Sequence, residues 1–461
     1  MYALVAALVA CALFAPRQAA ATGYGDTQPR AMGMAGSYGA LARGVEALYW
    51  NPANMGLKDS PKFSLPLSVG FSFILENNSW SVADYNDHNG NFISDADKDG
   101  LLADLEQGGL KFNTDVGLFL PLVGGFTFPL PWGLSSAIAI DAQAGVEGKI
   151  PRDMIEFLLR GNDFEQTRIE QGRDPNYDIA EWDGEGWGLG VFSWGFAKPW
   201  MPAQFSPYLS QFSVGTTLKV MGGAMLEVVR SDGGFITRQS GADIDAYAVA
   251  RGGGGVGFGL DFGVAGVTKD GKTVGSIAMM NFLDTMNWSI RTQQDSVFVS
   301  ASDVNALSFS GKDDLTEITD NPVDADGDKV FHEEIDISSF SRSLPAMMRI
   351  GVAHQLMPRL TVSGNYDQAF SSGFGISSTP HIATAVEYRL VNWFPVRFGL
   401  SVGGRSGQTS AIGFAFGPFT LGRVQLSLLE TGLINRGGFM PGLSQGFGYS
   451  INLFKFQIKK V

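Results

Sequence analysis

The feature that most constrains this chain is an almost unbroken two-residue alternation in KFSLPLSVGFSFILE, residues 62–76. Phe63, Leu65, Leu67, Val69, Phe71, Phe73 and Leu75 fall on one face; Ser64, Pro66, Ser68, Gly70 and Ser72 fall on the other, and only Ile74 breaks the pattern. That period marks an extended strand, because successive side chains of a strand point to opposite faces. The run outlasts an ordinary soluble strand and suits a tilted strand crossing a bilayer, which needs about 9–11 residues. Pro66 has no amide hydrogen for a ladder, so an irregularity in pairing is expected there.

The alternation recurs. Phe212, Val214, Leu218, Val220, Leu226 and Val228 share a face opposed to Lys219 and Glu227, and Val256, Phe258, Leu260, Phe262 and Val264 share one opposed to glycines and Asp261. The opposing faces are mostly Gly, Ser and Thr, small enough for a crowded barrel interior, whereas a soluble sandwich would set bulky polar residues outside. Strands are expected near 62–75, 111–120, 134–147, 186–198, 211–229, 243–267, 273–284, 345–357, 359–369, 380–390, 395–403, 409–416, 421–428 and 446–458. The connections alternate: long ones such as 76–110, 148–185 and 285–344 are followed mostly by short ones such as KDGK (269–272), Pro358, VNWFP and GPFT. Long-then-short alternation is the mark of an even-stranded outer-membrane barrel with long outer loops and tight periplasmic turns. The fold class is therefore all-β, an antiparallel transmembrane β-barrel of about fourteen strands.

Composition supports this class and excludes others. Glycine is abundant at 60 residues, charged residues make up only 17%, and the mean hydropathy of +0.05 is too low for a bundle of spanning helices. A net charge of −13 argues against a nucleic-acid partner, which clustered Lys and Arg would have to bind. The uncharged stretch Val116–Ile140 resembles a spanning helix in hydropathy, but Pro121, Pro129 and Pro131 break it, and it reads as strand, turn, strand. Residues 1–21 read as a signal peptide: Ala3–Ala15 is an apolar run too short to span, and Ala19-Ala20-Ala21 provides a small-residue cleavage site before Thr22. Cys11, in LVAC, also has the form of a lipoprotein processing box, although the apolar core continues beyond it in ALFAP. Cleavage after Ala21 would leave an exported chain with no cysteine and no disulfides.

Residues 22–61 then precede a barrel of residues 62–461, and their small apolar composition suits a plug that fills its bore. Within EALYWNPANMGL (46–57), Asn51 can bond its own downstream backbone and Pro52 fixes φ, which predicts a turn before the first strand. The order RAMGMAGSYGALA (30–42), then NPA (51–53), then a long first strand resembles the FadL-type outer-membrane transporters of hydrophobic compounds. LPAMMRIGVAHQLMPRLTVSGNYD (344–367), TPHIATAVEYRL and FPVRFGLSVGG resemble the late strands of that superfamily, and the PorV and TraF-like barrels share the NPA segment. The resemblance implies that Asn51, Pro52 and Ala53 belong to an N-terminal hatch that closes the lumen.

Other motifs carry chemistry on paper. DADKDGLLADLE places Asp95, Asp97, Asp99 and Glu106 at the spacing of a calcium loop, with Gly100 at the turn position. The same residues also read as a short helix with Ser94 as N-cap and acids in its first turn. Asp324, Asp326 and Asp328 offer a weaker set, with Ile335 where the bidentate acid would stand. Ser444 in GLSQG matches a nucleophile elbow without a strand–turn–helix context. Gly252, Gly254 and Gly257 spell a dinucleotide fingerprint, yet a strand follows, so a kink or bulge is the better account. Trp80, Trp132, Trp187 and Trp393 lie near strand ends, as interfacial anchors do.

These readings imply a monomer in the outer membrane of a Gram-negative-type bacterium, in contact with lipid and passing hydrophobic small molecules such as long-chain fatty acids. No catalytic residue or cofactor is required, calcium apart. The alternative is a non-transporting barrel that acts as a binding or secretion adapter through its long loops.

Overall fold

A computed structural model describes residues 27–66, 70–119, 125–160, 165–238, 242–304, 329–437 and 445–459. Residues 1–26, with Cys11 and the expected signal peptide, lie outside them, as do Ser444 and the Asp324–Asp328 set. Fourteen antiparallel strands close into one barrel. The first is formed by β1 (Pro61–Pro66) and β2 (Gly70–Asn77), the second by β3 (Leu110–Phe119) and β4 (Phe126–Pro129). Then come β5 (Ser135–Ile150), β7 (Asp183–Pro199), β8 (Leu209–Thr237) and β9 (Ala242–Thr268), with the short β6 (Tyr177–Asp178) pairing onto β8 from a loop. The seventh strand is β10 (Thr273–Asp284) continued by β11 (Asn287–Val304). The eighth joins β12 (Lys329–Asp336), β13 (Phe340–Ser341) and β14 (Met347–Met357). The circuit is completed by β15 (Leu360–Ala369), β16 (His381–Val391), β17 (Phe394–Gly403), β18 (Thr409–Phe416) with β19 (Phe419–Leu421), β20 (Val424–Arg436) and β21 (Gly446–Lys459).

Closure is made by β21 on both halves of the first strand: Ser64 pairs with Gln457 and Phe71 with Ile451. Pro66, where an irregularity is expected, is the last residue of β1 and pairs in register with Lys455, while the register shift in this ladder lies between Pro61 and Phe63. Between Ser64 and Gly70 the second strand runs through more residues than the first, since Ser64 faces Thr127 while Gly70 faces Phe119.

The wall is inside-out relative to a soluble barrel. Phe192, Ile277, Ile350, Phe398 and Tyr449 all point outward, and Phe258 and Ile412 are 67% and 53% exposed. Their neighbours across the pleat are small or polar and buried, as with Ser193, Ser276, Arg349, Ser401 and Ser450. An apolar outer band and a polar bore are what a hydrocarbon surrounding selects.

Several strands outgrow their expected bounds. β8 has 29 residues and β9 has 27, so at roughly 3.3 Å per residue each is about 90 Å long, against a hydrocarbon core of about 30 Å. Segments expected as loops, 230–242 and part of 285–344, instead extend the ladder: Thr237 pairs with Ala242, and Gln293–Ser300 of β11 pair with both β9 and β12. The outer loops also carry helices at Val82–His88, Asp95–Asp104, Arg152–Arg160 and Glu165–Glu170.

Candidate functional site: the plugged lumen

Residues 27–57 lie inside the short-turn half of the bore, nearly all of them buried. They contain the helix Pro29–Met32, a 3₁₀ turn at Gly44–Glu46, the helix Ala47–Trp50 and a second 3₁₀ turn at Pro52–Gly56. Such short turns cannot stand alone, because helix nucleation is unfavourable, so their shape depends on the wall. Met34, Tyr38, Leu48, Trp50 and Met55 form the apolar heart and pack on wall alanines 137, 139, 197 and 385. Wall glycines let the plug backbone approach: a Cβ on Gly399 would stand 2.3 Å from the Met34 carbonyl carbon, and one on Gly432 2.2 Å from the Pro29 oxygen. These are contacts that no real Cβ makes.

The NPA residues are brought together at the β8–β9–β10 wall. Asn51 ends the Ala47–Trp50 helix in an extended conformation, and its Oδ1 accepts the Ala53 amide at 2.9 Å. Pro52 opens the next turn at a position whose amide would go unpaired. The Nδ2 of Asn51 donates to the carbonyls of Val264 and Ile277, both at 3.0 Å, which are cross-strand partners in β9 and β10. Gly263 leaves room for this: its Cβ would fall 2.0 Å from Asn51 Oδ1. Ala53 is fully buried, its amide nitrogen 2.4 Å from where a Cβ on Gly215 would lie.

Charged ties complete the seat. Arg30 forks onto Glu387 of β16, which Arg397 also engages at 2.9 Å, and Arg397 reaches Glu430 at 2.8 Å. Glu46 accepts from both Lys455 and Tyr38. Burial pushes the Glu46 carboxyl upward, but the Lys455 ammonium and the two donated hydrogen bonds outweigh it and hold it below the usual carboxylate range. Burial and the neighbouring Glu46 charge raise the Tyr38 phenol. Arg349 lies 4.1 Å over the Trp50 ring, a cation–π contact between wall and plug. Beneath the plug a polar cavity of about 570 Å³, lined by Arg30, Arg43, Glu46, Glu387, Arg397 and Lys455 among others, forms the mouth on the short-turn side.

In the long-loop half Trp187, Leu189, Val191, Met221, Met225, Met286, Trp288, Phe340, Leu344 and Phe374 pack into one buried apolar cluster. Trp187 therefore faces the lumen and is not the interfacial anchor expected of it; Trp132 and Trp393 do remain exposed. The residues of the apparent dinucleotide fingerprint sit in continuous β9, where Gly254 and Gly257 make room for Ile290 and Met286 as Gly255 does for the Trp288 ring. Beside this cluster is a charged cup of about 370 Å³, lined by Glu76, Glu147, Glu185, Arg342, Arg405 and Arg436 among others. Apart from Trp187, the residues of the apolar cluster did not stand out in the sequence, and neither did Arg405. The one local signal was the glycine-flanked phenylalanine in SSGFGISS.

The calcium-spaced acids form a helix, Asp95–Asp104, instead of a loop. Ser94 caps it in a reciprocal box with Asp97. Asp95 pairs with Lys98, Asp99 with Arg160, and Glu106 accepts from Asn78. The four carboxylates thus turn to separate partners, and among the described residues no group of three or more His, Cys, Asp or Glu converges on a metal position.

A closed fourteen-stranded antiparallel barrel with its N-terminal segment folded into the bore defines the FadL-like class of fold. The toluene transporter TodX of Pseudomonas putida superposes with a TM-score of 0.51 at 11% identity, covering 97% of this chain and 100% of TodX. A FadL homologue of Pseudomonas aeruginosa superposes at 0.49 with 10% identity, covering 96% of this chain and all of the homologue. No curated protein matches the chain. By sequence the chain belongs to a family of unknown function, DUF5723, which matches over residues 52–249 and 226–426.

Proposed function

We propose that this protein is an outer-membrane passage for hydrophobic small molecules, closed in this state by an N-terminal hatch. The observation that carries the reading is a buried aromatic- and methionine-rich cluster in the lumen, in a bore that also holds a plug seated by non-covalent contacts. A barrel that served only as scaffold would have no use for a large apolar surface facing its bore. The fold shared with a toluene transporter is in keeping with this. In this reading residues 1–21 are a signal peptide, 22–61 the hatch and 62–461 a monomeric barrel. The ligand enters from the outer loops, is taken up among the side chains of the apolar cluster and leaves once the hatch around Asn51, Pro52 and Ala53 gives way.

The test is saturable binding of a fluorescent long-chain fatty acid to the refolded protein in detergent, together with its flux across liposomes that contain the protein. Displaceable binding and protein-dependent flux are expected. Signals no greater than those of an unrelated barrel would overturn the fatty-acid version. A second reading, a docking adapter, draws on β8, β9 and β11 running far past the height of a membrane. It would lead if no apolar ligand binds and a protein partner is retained by those strands.

A further inference from the structure

One ring of the apolar cluster is contributed by no strand. Phe374 stands at the tip of the loop between β15 and β16, fully within the barrel and 4% exposed. Its ring lies nearly parallel to Trp288 (12°, 6.1 Å) and edge-on to Trp187 (66°, 6.0 Å). Trp288 in turn stacks on Phe340 and is fixed by its indole N–H, which donates to the Arg342 carbonyl at 2.9 Å. The Trp288 side of the seat is thus held by contacts of the wall itself.

The tip backbone is left-handed at three consecutive residues, Gly373 (φ 134°), Phe374 (φ 54°) and Gly375 (φ 71°). Glycine tolerates this; phenylalanine adopts it only where its surroundings impose it. The imposing groups are side chains of the cup. The Glu185 carboxylate accepts the Phe374 amide, Arg405 donates to the Gly375 carbonyl at 2.9 Å, and Arg342, itself paired with Glu185 at 3.0 Å, lies against Gly373. Within the tip, Gly373 and Ile376 exchange backbone hydrogen bonds. Gly373 lines the charged cup while Phe374 belongs to the apolar cluster, so this short tip lies between the two.

We propose that the 370–380 loop is an inner gate on the long-loop side and that Phe374 holds the place of the ligand. A flat apolar ring of the ligand takes its seat against Trp187 and Trp288 when the tip lifts into the cup, and Glu185 and Arg405 latch the tip shut in the ligand's absence. This rests on the passage reading above, and it predicts preference for a ligand that ends in an aromatic ring.

The test uses the full-length protein with Cys11→Ser and Ile376→Cys, so that the only thiol is one the seated tip buries. Modification by a water-soluble maleimide is timed with and without fluorobenzene, whose binding is followed by ¹⁹F NMR, and with cyclohexane as the non-aromatic control. Saturating fluorobenzene is expected to speed modification at least about tenfold and cyclohexane less than about twofold, the ligand shifting the loop only by its preference for the open state. Arg405→Gln is expected to raise the rate without any ligand. Should Ile376→Cys fail to assemble, Ser377→Cys on the same tip serves. A saturable fluorobenzene site with unchanged thiol protection overturns the gate, as does the absence of any saturable site. Accelerated modification with no liposome flux leaves the gate standing and sinks the passage. In flux, Phe374→Ala should exceed wild type, while Phe340→Ala, which removes a ring from the wall side of the same stack, should not; equal effects of the two would mean mere cavity formation and overturn the assignment.

Discussion

Replacing Asn51 by alanine should unseat the plug, and the geometry allows the effect to be sized. The change removes the cap on the Ala53 amide, worth about 1 kcal/mol, and two hydrogen bonds to the wall carbonyls of Val264 and Ile277, each worth about 1 kcal/mol net. The total of about 3 kcal/mol corresponds to roughly a hundredfold rise in the population of displaced plug. The assays are single-channel conductance in planar bilayers, where openings should become about a hundredfold more frequent, and amide exchange at Ala53 and Met55, which should quicken in step. Asn51→Asp separates the two contributions. It keeps the acceptor for the Ala53 amide but turns a second carboxylate oxygen, with no proton to give, toward two carbonyl oxygens. It should therefore be at least as harmful as alanine. Wild-type conductance and exchange in Asn51→Ala would refute the clasp outright; wild-type behaviour in Asn51→Asp alone would show that the wall bonds contribute nothing.

The remaining predictions test the plug from other sides. Gly263→Ala would drive a methyl to 2.0 Å from Asn51 Oδ1 and should loosen the plug by about 1–3 kcal/mol, read by the same conductance assay; Gly275→Ala, which meets nothing within 4 Å, should leave it unchanged. The Glu46 carboxyl, held low by Lys455, stabilises the seated plug fully above the ordinary glutamate range near pH 4.3 and loses that contribution as pH falls through its lower folded value. Openings should therefore rise below about pH 4, and Glu46→Gln should flatten that part of the profile. Ser94→Ala should fray the Asp95–Asp104 helix at a cost of about 1 kcal/mol, seen as faster exchange across it. Millimolar calcium should leave that exchange as it is; protection of Asp95–Glu106 by calcium would restore the loop reading.

Strand number, strand order and the position of the plug were legible in the sequence, because each depends on patterns a few residues long. The bounds expected at 273–284 and 409–416 coincide with β10 and β18, since a pleat sends neighbours to opposite sides whatever surrounds it. Asn51-Pro52-Ala53 forces a turn by its own covalent chemistry, and it is a turn inside the barrel as it is in the sequence. The tertiary structure decided everything that needs the barrel to close. β11 is polar along much of its length and reads as loop, yet it forms a strand because β9 beside it offers a free ladder. Trp187 sits near a strand end like an interfacial anchor but falls on the inner face, where it meets a phenylalanine from the far side of the bore. Arg405 finds Glu76 and Asp115, and Glu46 finds Lys455, across separations in the chain that no local period encodes. A strand's two faces are a property of the strand; which residues meet across the lumen is a property of the register and curvature by which fourteen strands close into one wall.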